Sequence, residues 1–270
     1  MSASLAQILA TTRQAVAETK LTVDLRELER QAAGHVPRGF RAALESRGRN
    51  GIAVIAELKR ASPSRGLIRP DFDAGGLARE LESAGAAALS VLTDVEFFQG
   101  SLENLQLASA NAKLPCLRKD FIVDEFQLLE ARAHGADAVL LIVAALSHAE
   151  LKLLAGHAAE YELDVLCEVH DEEELQRALD AGCTMIGVNS RDLRTFKVDL
   201  ETSLRLASSI PQNALRVAES GIHSGADIAH LRAAGYQAFL IGESLMKAES
   251  PGEALKILLA GGERESQILF

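Results

Sequence analysis

Charged side chains end four short apolar runs of the chain, and their types suit acid–base chemistry. Glu57 and Lys59 close the first run, Lys119 follows the third, Glu168 lies in the fifth and Glu219 follows the seventh. Alternation along a strand puts Glu57 and Lys59 on one face. Neighbouring ammonium and carboxylate groups shift each other's pKa values, as a proton-transfer site requires. Alternatively, each charge only marks the point where a strand leaves the core. This explanation is reasonable for one strand but weaker for four alternating strands that all end in a charge.

Serine and glycine residues follow three of the runs in a pattern typical of phosphate sites. Glycine lets backbone amides approach an anion closely, and the N-terminus of a helix favours negative charge. The expected contacts come after the first, seventh and eighth runs: Ser62, Ser220, Gly221, Gly242 and Ser244, with a short helix over Leu245–Ala248. Glu243 carries a discordant charge in this segment, and we expect its side chain to point away from the anion.

Histidines, phenylalanines and cysteines give weaker signals. His170 and His223 lie near strand ends and are expected to be solvated loop residues, since no histidine pair has a metal-ligand spacing. Phe98, with its neighbour Phe97, either walls an aromatic substrate or packs a loop. The three cysteines form no Cys-x-x-Cys pair, so we expect buried structural thiols rather than a disulfide or a metal site.

The elements that must position these groups alternate along the chain from about residue 51. Apolar runs separated by single helix-length stretches predict parallel strands with helical crossovers. Gly85, Gly135, Gly182 and Gly235 each end a helical pattern just before a strand, about 50 residues apart. Four repeats of two strand–helix units predict an α/β fold, a (β/α)8 TIM barrel, rather than an open doubly wound sheet. The predicted strands are Ile52–Leu58, Ala87–Leu92, Pro115–Arg118, Ala138–Val143, Asp164–Val169, Met185–Asn189, Leu215–Ala218 and Ala238–Ile241.

Residues 1–50 do not follow the strand pattern, and we expect an N-terminal helical extension there. Leu5, Ile8 and Leu9 have helical spacing, and a helix is predicted over Phe40–Arg47. The extension either plugs the bottom of the barrel or covers its top. We expect residues 1–270 to form a single domain, because α/β barrels reach about 250 residues as one unit.

Composition excludes several classes of function. The net charge of −10 argues against nucleic acid, which requires clustered Lys and Arg. No apolar stretch has the roughly 18 residues of a membrane span, and no signal peptide is recognisable. We therefore expect a cytoplasmic protein, a monomer rather than an obligate oligomer, with no membrane or nucleic-acid partner. With 48% hydrophobic but only 4% aromatic residues, the core is expected to be aliphatic.

Beyond these patterns, six motifs resemble those of the indole-3-glycerol phosphate synthase family, in the family's order. The segments are Glu57–Gly66 (ELKRASPSRG), Leu117–Phe121 (LRKDF), Cys167–His170 (CEVH), Gly187–Leu193 (GVNSRDL), Ala218–Ile222 (AESGI) and Leu240–Met246 (LIGESLM). The first and fourth are the most specific. The extra N-terminal helices also resemble the family.

The resemblance implies ring closure of 1-(2-carboxyphenylamino)-1-deoxyribulose 5-phosphate to the indole, with loss of carbon dioxide and water and without a metal or organic cofactor. Lys119 would donate to the carbonyl oxygen. Glu168, Glu57 and Lys59 would share the dehydration, in a division that stays open. The implied substrate contacts are Asn189 and Arg191 to the anthranilate part, Glu219 to the sugar, and the rings of Phe98 and Phe121. The implied phosphate contacts are Ser62, Ser220, Gly221, Gly242 and the backbone amide of Glu243.

Two alternatives stay open. A related barrel enzyme such as phosphoribosylanthranilate isomerase would use a Cys–Asp pair at strand ends, where this chain has Lys and Glu. A non-catalytic barrel would bind a phosphorylated ligand without turning it over.

Overall fold

The computed structural model describes residues 4–192, 195 and 197–269, so Leu193 of the fourth motif lies outside the described residues. Over the described residues, parallel strands close into an eight-stranded barrel, which confirms the predicted fold class. Each strand hydrogen-bonds its sequence neighbours, and the first pairs with the last. The barrel strands are β1 (Ala53–Leu58), β2 (Ala88–Leu92), β3 (Cys116–Lys119), β4 (Ala138–Ile142), β5 (Asp164–Val169), β6 (Met185–Asn189), β7 (Leu215–Glu219) and β8 (Ala238–Ile241).

Helices surround the barrel and alternate with its strands. They are α1 (Leu5–Thr22), α2 (Leu25–Gly34), α3 (Phe40–Asn50), α4 (Ala74–Ser83), α5 (Leu102–Asn111), α6 (Phe126–Ala133), α7 (His148–Glu160), α8 (Glu172–Asp180), α9 (Glu201–Ala207), α10 (Gly225–Ala233), α11 (Glu243–Lys247) and α12 (Pro251–Leu269). Val143, predicted as the last residue of a strand, instead begins a 3₁₀ turn over Val143–Ala145. In the described part of the chain, no helix is both long and apolar enough to cross a membrane.

Local sequence signals explain where the helices begin and end. Ser147 caps α7 and Ser224 caps α10. Each serine side chain accepts from the backbone amide of the acidic residue three positions later, and that residue's carboxylate accepts from the serine's backbone amide. Gly85, Gly135, Gly182 and Gly235 all have positive φ, between 84° and 99°, as predicted for glycines that end helices. The interior is aliphatic, as expected, and the three cysteines are buried and free.

The N-terminal extension reaches both ends of the barrel, so the two alternatives for its position are both realised. Leu5 and Ile8 of α1 line the cavity at the C-terminal ends of the strands. At the opposite end, the Arg41 amide donates to Asp164, the first residue of β5, at 2.8 Å. The extension therefore covers the top and caps the bottom.

Asp137, just before β4, is the main anchor of the extension at the bottom. It is fully buried and accepts from the Arg38 guanidinium at 2.5 Å and from the Arg38 amide at 2.7 Å. The Cys116 amide donates to it at 2.6 Å, and His35 Nε2 lies 3.2 Å away. Burial opposes ionisation, but His35 and Arg38 outweigh it and hold the pKa of Asp137 below its usual value.

We expect Asp137→Asn to lower the free energy of unfolding by about 3 kcal/mol at pH 7, because it leaves the enclosed Arg38 without its counter-ion. Urea unfolding followed by circular dichroism measures the change. The matched control is Glu253→Gln, which removes an exposed ion pair with Lys256 and should change little. Equal stability of the two variants would contradict the anchoring role.

Candidate active site

Five charged side chains from the odd-numbered strands lie around one cavity at the C-terminal end of the barrel. Lys59 Nζ lies 2.6 Å from Glu57 Oε1. Lys119 Nζ lies 3.4 Å from Glu168 Oε2 and 4.0 Å from Glu219 Oε2. The cavity has about 1240 Å³ of empty space, part of it open to solvent. The positions are those expected from a barrel in which alternate strands share an interior layer.

Opposite charges within this cluster keep its side chains ionised although burial favours their neutral forms. Burial favours the neutral amine of Lys119, but Glu168, Glu219 and Glu57 outweigh it and raise the lysine's pKa. Burial also opposes ionisation of Glu57 and Glu168, yet the nearby lysines hold both pKa values below the usual range. Lys119 is therefore an ammonium donor, and Glu57 and Glu168 are carboxylates.

Glu219 differs from the other two carboxyl groups. Its burial and the negative charge of Glu168 raise its pKa well above the usual value, although Lys119 opposes the shift. Oε1 is buried and has no hydrogen-bond partner among the described residues. When it is protonated, a carboxyl group in this position is able to donate a hydrogen bond to a ligand.

Two glycines make room for the carboxyl groups. A Cβ on Gly187 of β6 would collide with Glu219 Oε1, and a Cβ on Gly242 would lie 2.5 Å from Glu57 Oε1. The sequence predicted Gly242 as a phosphate contact and gave no local signal for Gly187. Both glycines permit the close approach of side chain to backbone on which the cluster depends.

A buried network fixes the segment that carries Lys119. Arg118 donates to Asp120 at 3.1 Å, and Thr93 donates to the same carboxylate at 2.5 Å. Asp120 in turn accepts from the Phe121 amide at 2.9 Å. Lys119 lies between these anchored residues and belongs to β3 itself, one residue beyond the predicted strand end.

Aromatic and aliphatic side chains wall the cavity. The rings of Phe98 and Phe121 have centroids 6.5 Å apart and are tilted by 42°. Phe98 lines the cavity, whereas Phe97 packs against the core without lining it. Asp94, which sequence reasoning missed, accepts from the amides of both phenylalanines and so fixes this turn. Burial raises the pKa of Asp94 to about 6.

The predicted phosphate contacts Ser62, Ser220, Gly221 and Gly242 all line the same cavity. Ser220 and Gly221 have φ of 65° and 79°, a left-handed conformation that is uncommon for serine. Such strained backbone is concentrated at functional sites, here directly after β7.

Glu243 also lines the cavity, so the expectation that its side chain points away is wrong. Its carboxylate pairs with Arg65 at 2.9 Å, with Arg191 at 3.3 Å and with Lys247 at 2.6 Å. Arg65 and Arg191 come from two other loops of the barrel, and their charges attract the carboxylate inward. The pairing of Glu243 with Arg65 and Arg191 lay outside local sequence patterns because both arginines are far from Glu243 in the chain.

Asn189 and His170 surround Glu168. The Asn189 side chain helps to lower the pKa of Glu168 and accepts a hydrogen bond from the Arg191 amide at 3.0 Å. The prediction of a solvated His170 is wrong: its ring lies 2.9 Å from Glu174 and 3.5 Å from Glu168, with 13% of the side chain exposed. His223, by contrast, is exposed, as predicted.

Comparison with known structures agrees on the fold. A mandelate oxidase structure aligns with a TM-score of 0.62 at 20% identity, covering 80% of this chain and 74% of that one. A 3-hexulose-6-phosphate synthase structure also gives 0.62, at 15% identity, covering 77% of this chain and 99% of that one. At these identities the likeness concerns the fold alone.

Comparison of sequences is more specific. The family model described as indole-3-glycerol phosphate synthase matches residues 5–258. A protein of Koribacter versatilis (strain Ellin345), named indole-3-glycerol phosphate synthase, is 61% identical over 259 residues, which cover 96% of this chain and all of the relative. The chain therefore belongs to the indole-3-glycerol phosphate synthase family.

Proposed function

We propose that this chain closes the ring of 1-(2-carboxyphenylamino)-1-deoxyribulose 5-phosphate to form indole-3-glycerol phosphate, releasing carbon dioxide and water. One observation carries the proposal: the charged Lys119 lies with Glu168 and Glu219 in a cavity that is also lined by Phe98 and Phe121. The cavity thus offers a proton donor, proton acceptors and aromatic walls to one ligand.

Lys119 serves the first step. As a carbon of the substrate's aromatic ring attacks the carbonyl carbon of the sugar chain, the carbonyl oxygen gains negative charge. The raised pKa of Lys119 keeps its ammonium group charged and available to donate to that oxygen. Phe98 and Phe121, which line the cavity, are assigned to pack against the substrate ring.

Loss of carbon dioxide follows. The bond between the ring carbon and the carboxylate breaks, carbon dioxide departs, and the electron pair restores a conjugated ring. Lys59 is suited to hold the carboxylate before this step, because its ammonium group lies at the cavity wall beside Glu57.

Dehydration completes the reaction. One group protonates the departing hydroxyl, and another takes a proton from the substrate, so that water leaves and the double bond of the indole forms. The lowered pKa values of Glu57 and Glu168 favour both as acceptors rather than donors. We assign proton acceptance to Glu168, which lies within reach of Lys119, and protonation of the hydroxyl to Lys59.

The phosphate is proposed to bind at the mouth of the cavity. Its contacts are Ser62, Ser220, the amides of Gly221, Gly242 and Glu243, and the guanidinium of Arg191. The pairing of Arg191 with Glu243 favours this end of the site over the anthranilate end that the family resemblance suggested. Asn189 is assigned to the anthranilate part, and the carboxyl group of Glu219 is assigned to the sugar hydroxyls.

Other expectations from the sequence stay predictions: a monomer, a cytoplasmic location, a single domain and a reaction without cofactor. The activity itself is tested by mixing the protein with the substrate and following the fluorescence of the indole product. If the substrate bound but no product fluorescence appeared, the proposed activity would be wrong and the alternative of a non-catalytic, ligand-binding barrel would be supported.

We expect Lys119→Ala to lower kcat by about 10²–10⁴, as for a lost general acid, while the substrate still binds. Steady-state kinetics with substrate titration separates the two effects. The control is Lys113→Ala, which removes an exposed lysine near the opposite end of β3. A turnover within threefold of the wild type would exclude Lys119 from this role.

We expect Ser220→Asp to raise KM at least tenfold with a smaller change in kcat, since its carboxylate repels the phosphate. Ser220→Asn is the matched control, because Asn and Asp both tolerate the left-handed backbone at this position and differ in charge. Equal KM values for the two variants would place the phosphate elsewhere.

A further inference from the structure

Glu174, His170 and Glu168 form a line that leads from the first turn of α8 into the active-site cavity. Glu174 Oε2 lies 2.9 Å from His170 Nδ1 and accepts from the His170 amide at 2.8 Å. On the other side of the ring, His170 Nε2 lies 3.5 Å from Glu168 Oε1. The histidine thus bridges a carboxylate outside the site to one inside it.

Local structure fixes both ends of this line. Residues 168 and 170 point to the same side of the chain because they are two positions apart at the end of β5. Asp171 caps α8 and accepts from the Glu174 amide at 2.9 Å, which holds Glu174 in the first helical turn. The ring of His170 therefore has little freedom to turn away.

His170 Nε2 is a buried polar atom without a hydrogen-bond partner among the described residues, and Glu168 is the acceptor that it faces. A neutral ring with its proton on Nδ1 presents a lone pair to the Glu168 carboxylate, which is unfavourable. An imidazolium ring donates at both nitrogens and satisfies both carboxylates. A shift of a few tenths of an ångström brings Nε2 to an ordinary hydrogen-bond distance.

The charges around the ring favour the imidazolium. The groups that face it are Glu168 from its own strand, Glu174 from α8 and Lys119 from β3. Burial and Lys119 oppose protonation, but the two carboxylates outweigh them and raise the pKa of His170. His170 in return is one of the groups that lower the pKa of Glu168.

We propose that the imidazolium of His170, anchored by Glu174, is a positioning residue that holds the Glu168 carboxylate ready to accept a proton from the substrate. This inference rests on the proposed function, in which Glu168 is the proton acceptor. His170 itself touches no reacting atom and acts through Glu168. Without it, Glu168 loses a nearby positive charge and is protonated at higher pH.

The test compares the pH dependence of kcat/KM in the wild type, His170→Asn and Glu174→Gln. For His170→Asn, the acidic limb should move up by about one pH unit, as expected for the loss of an opposite charge near a carboxylate. Glu174→Gln should lower the pH at which His170 loses its proton, so activity should fall earlier on the alkaline side. His148→Asn, the same change at an exposed histidine, should leave the profile unchanged.

A second measurement makes the test independent of catalysis. Nuclear magnetic resonance titration of the His170 ring should show a lower pKa in both Glu174→Gln and Glu168→Gln than in the wild type. Unmoved titration in Glu168→Gln, or a uniform fall in kcat/KM without a shift of the acidic limb in His170→Asn, would overturn the proposal. A wild-type protein without turnover would instead refute the proposed function, while the titration would still decide whether His170 and Glu168 are coupled.

Discussion

The buried ammonium group of Lys119 constrains the whole upper face of the barrel. A charge without partners in such a place costs several kcal/mol, so Lys119 depends on Glu168 and Glu219, which lie 3.4 and 4.0 Å away. Those three side chains come from three separate strands, which must end at one level for the distances to hold. The parallel register of the barrel is thus an electrostatic requirement as well as a packing arrangement.

Small residues and remote anchors serve the same constraint. Gly187 and Gly242 leave space for two carboxyl groups that any larger side chain would displace. The Arg118–Asp120 pair fixes the backbone on both sides of Lys119, so the ammonium group stays in place without a ligand. The N-terminal extension is fastened below by Asp137 and lies over the cavity through Leu5 and Ile8. The apolar cover of the site is consequently attached to the rigid barrel.

The fold was predictable because its signals are local and repeated. The four glycines that end helices and the apolar runs each act within a few residues, and together they indicated eight strands. The charged cluster was predictable because barrel geometry converts strand ends into neighbours. The side chains of His170 and Glu243 were misjudged for the opposite reason. Their orientation depends on Glu168 and Glu174, and on Arg65 and Arg191, and such pairings follow from folded distances rather than from sequence spacing.

The proposed phosphate site at the mouth of the cavity is compatible with a chain of net charge −10. Arg65, Arg191 and Lys247 meet there around the single carboxylate of Glu243, which leaves an excess of positive charge among these four side chains. Salt screens charges beyond about 8 Å, so distant acidic residues matter less to a bound phosphate than these cations do. Glu243 holds the side chains of Arg65 and Arg191 in place. Binding of a phosphate therefore costs less side-chain entropy at these two arginines. A carboxylate in an anion site is therefore compatible with anion binding when it organises more cations than it neutralises.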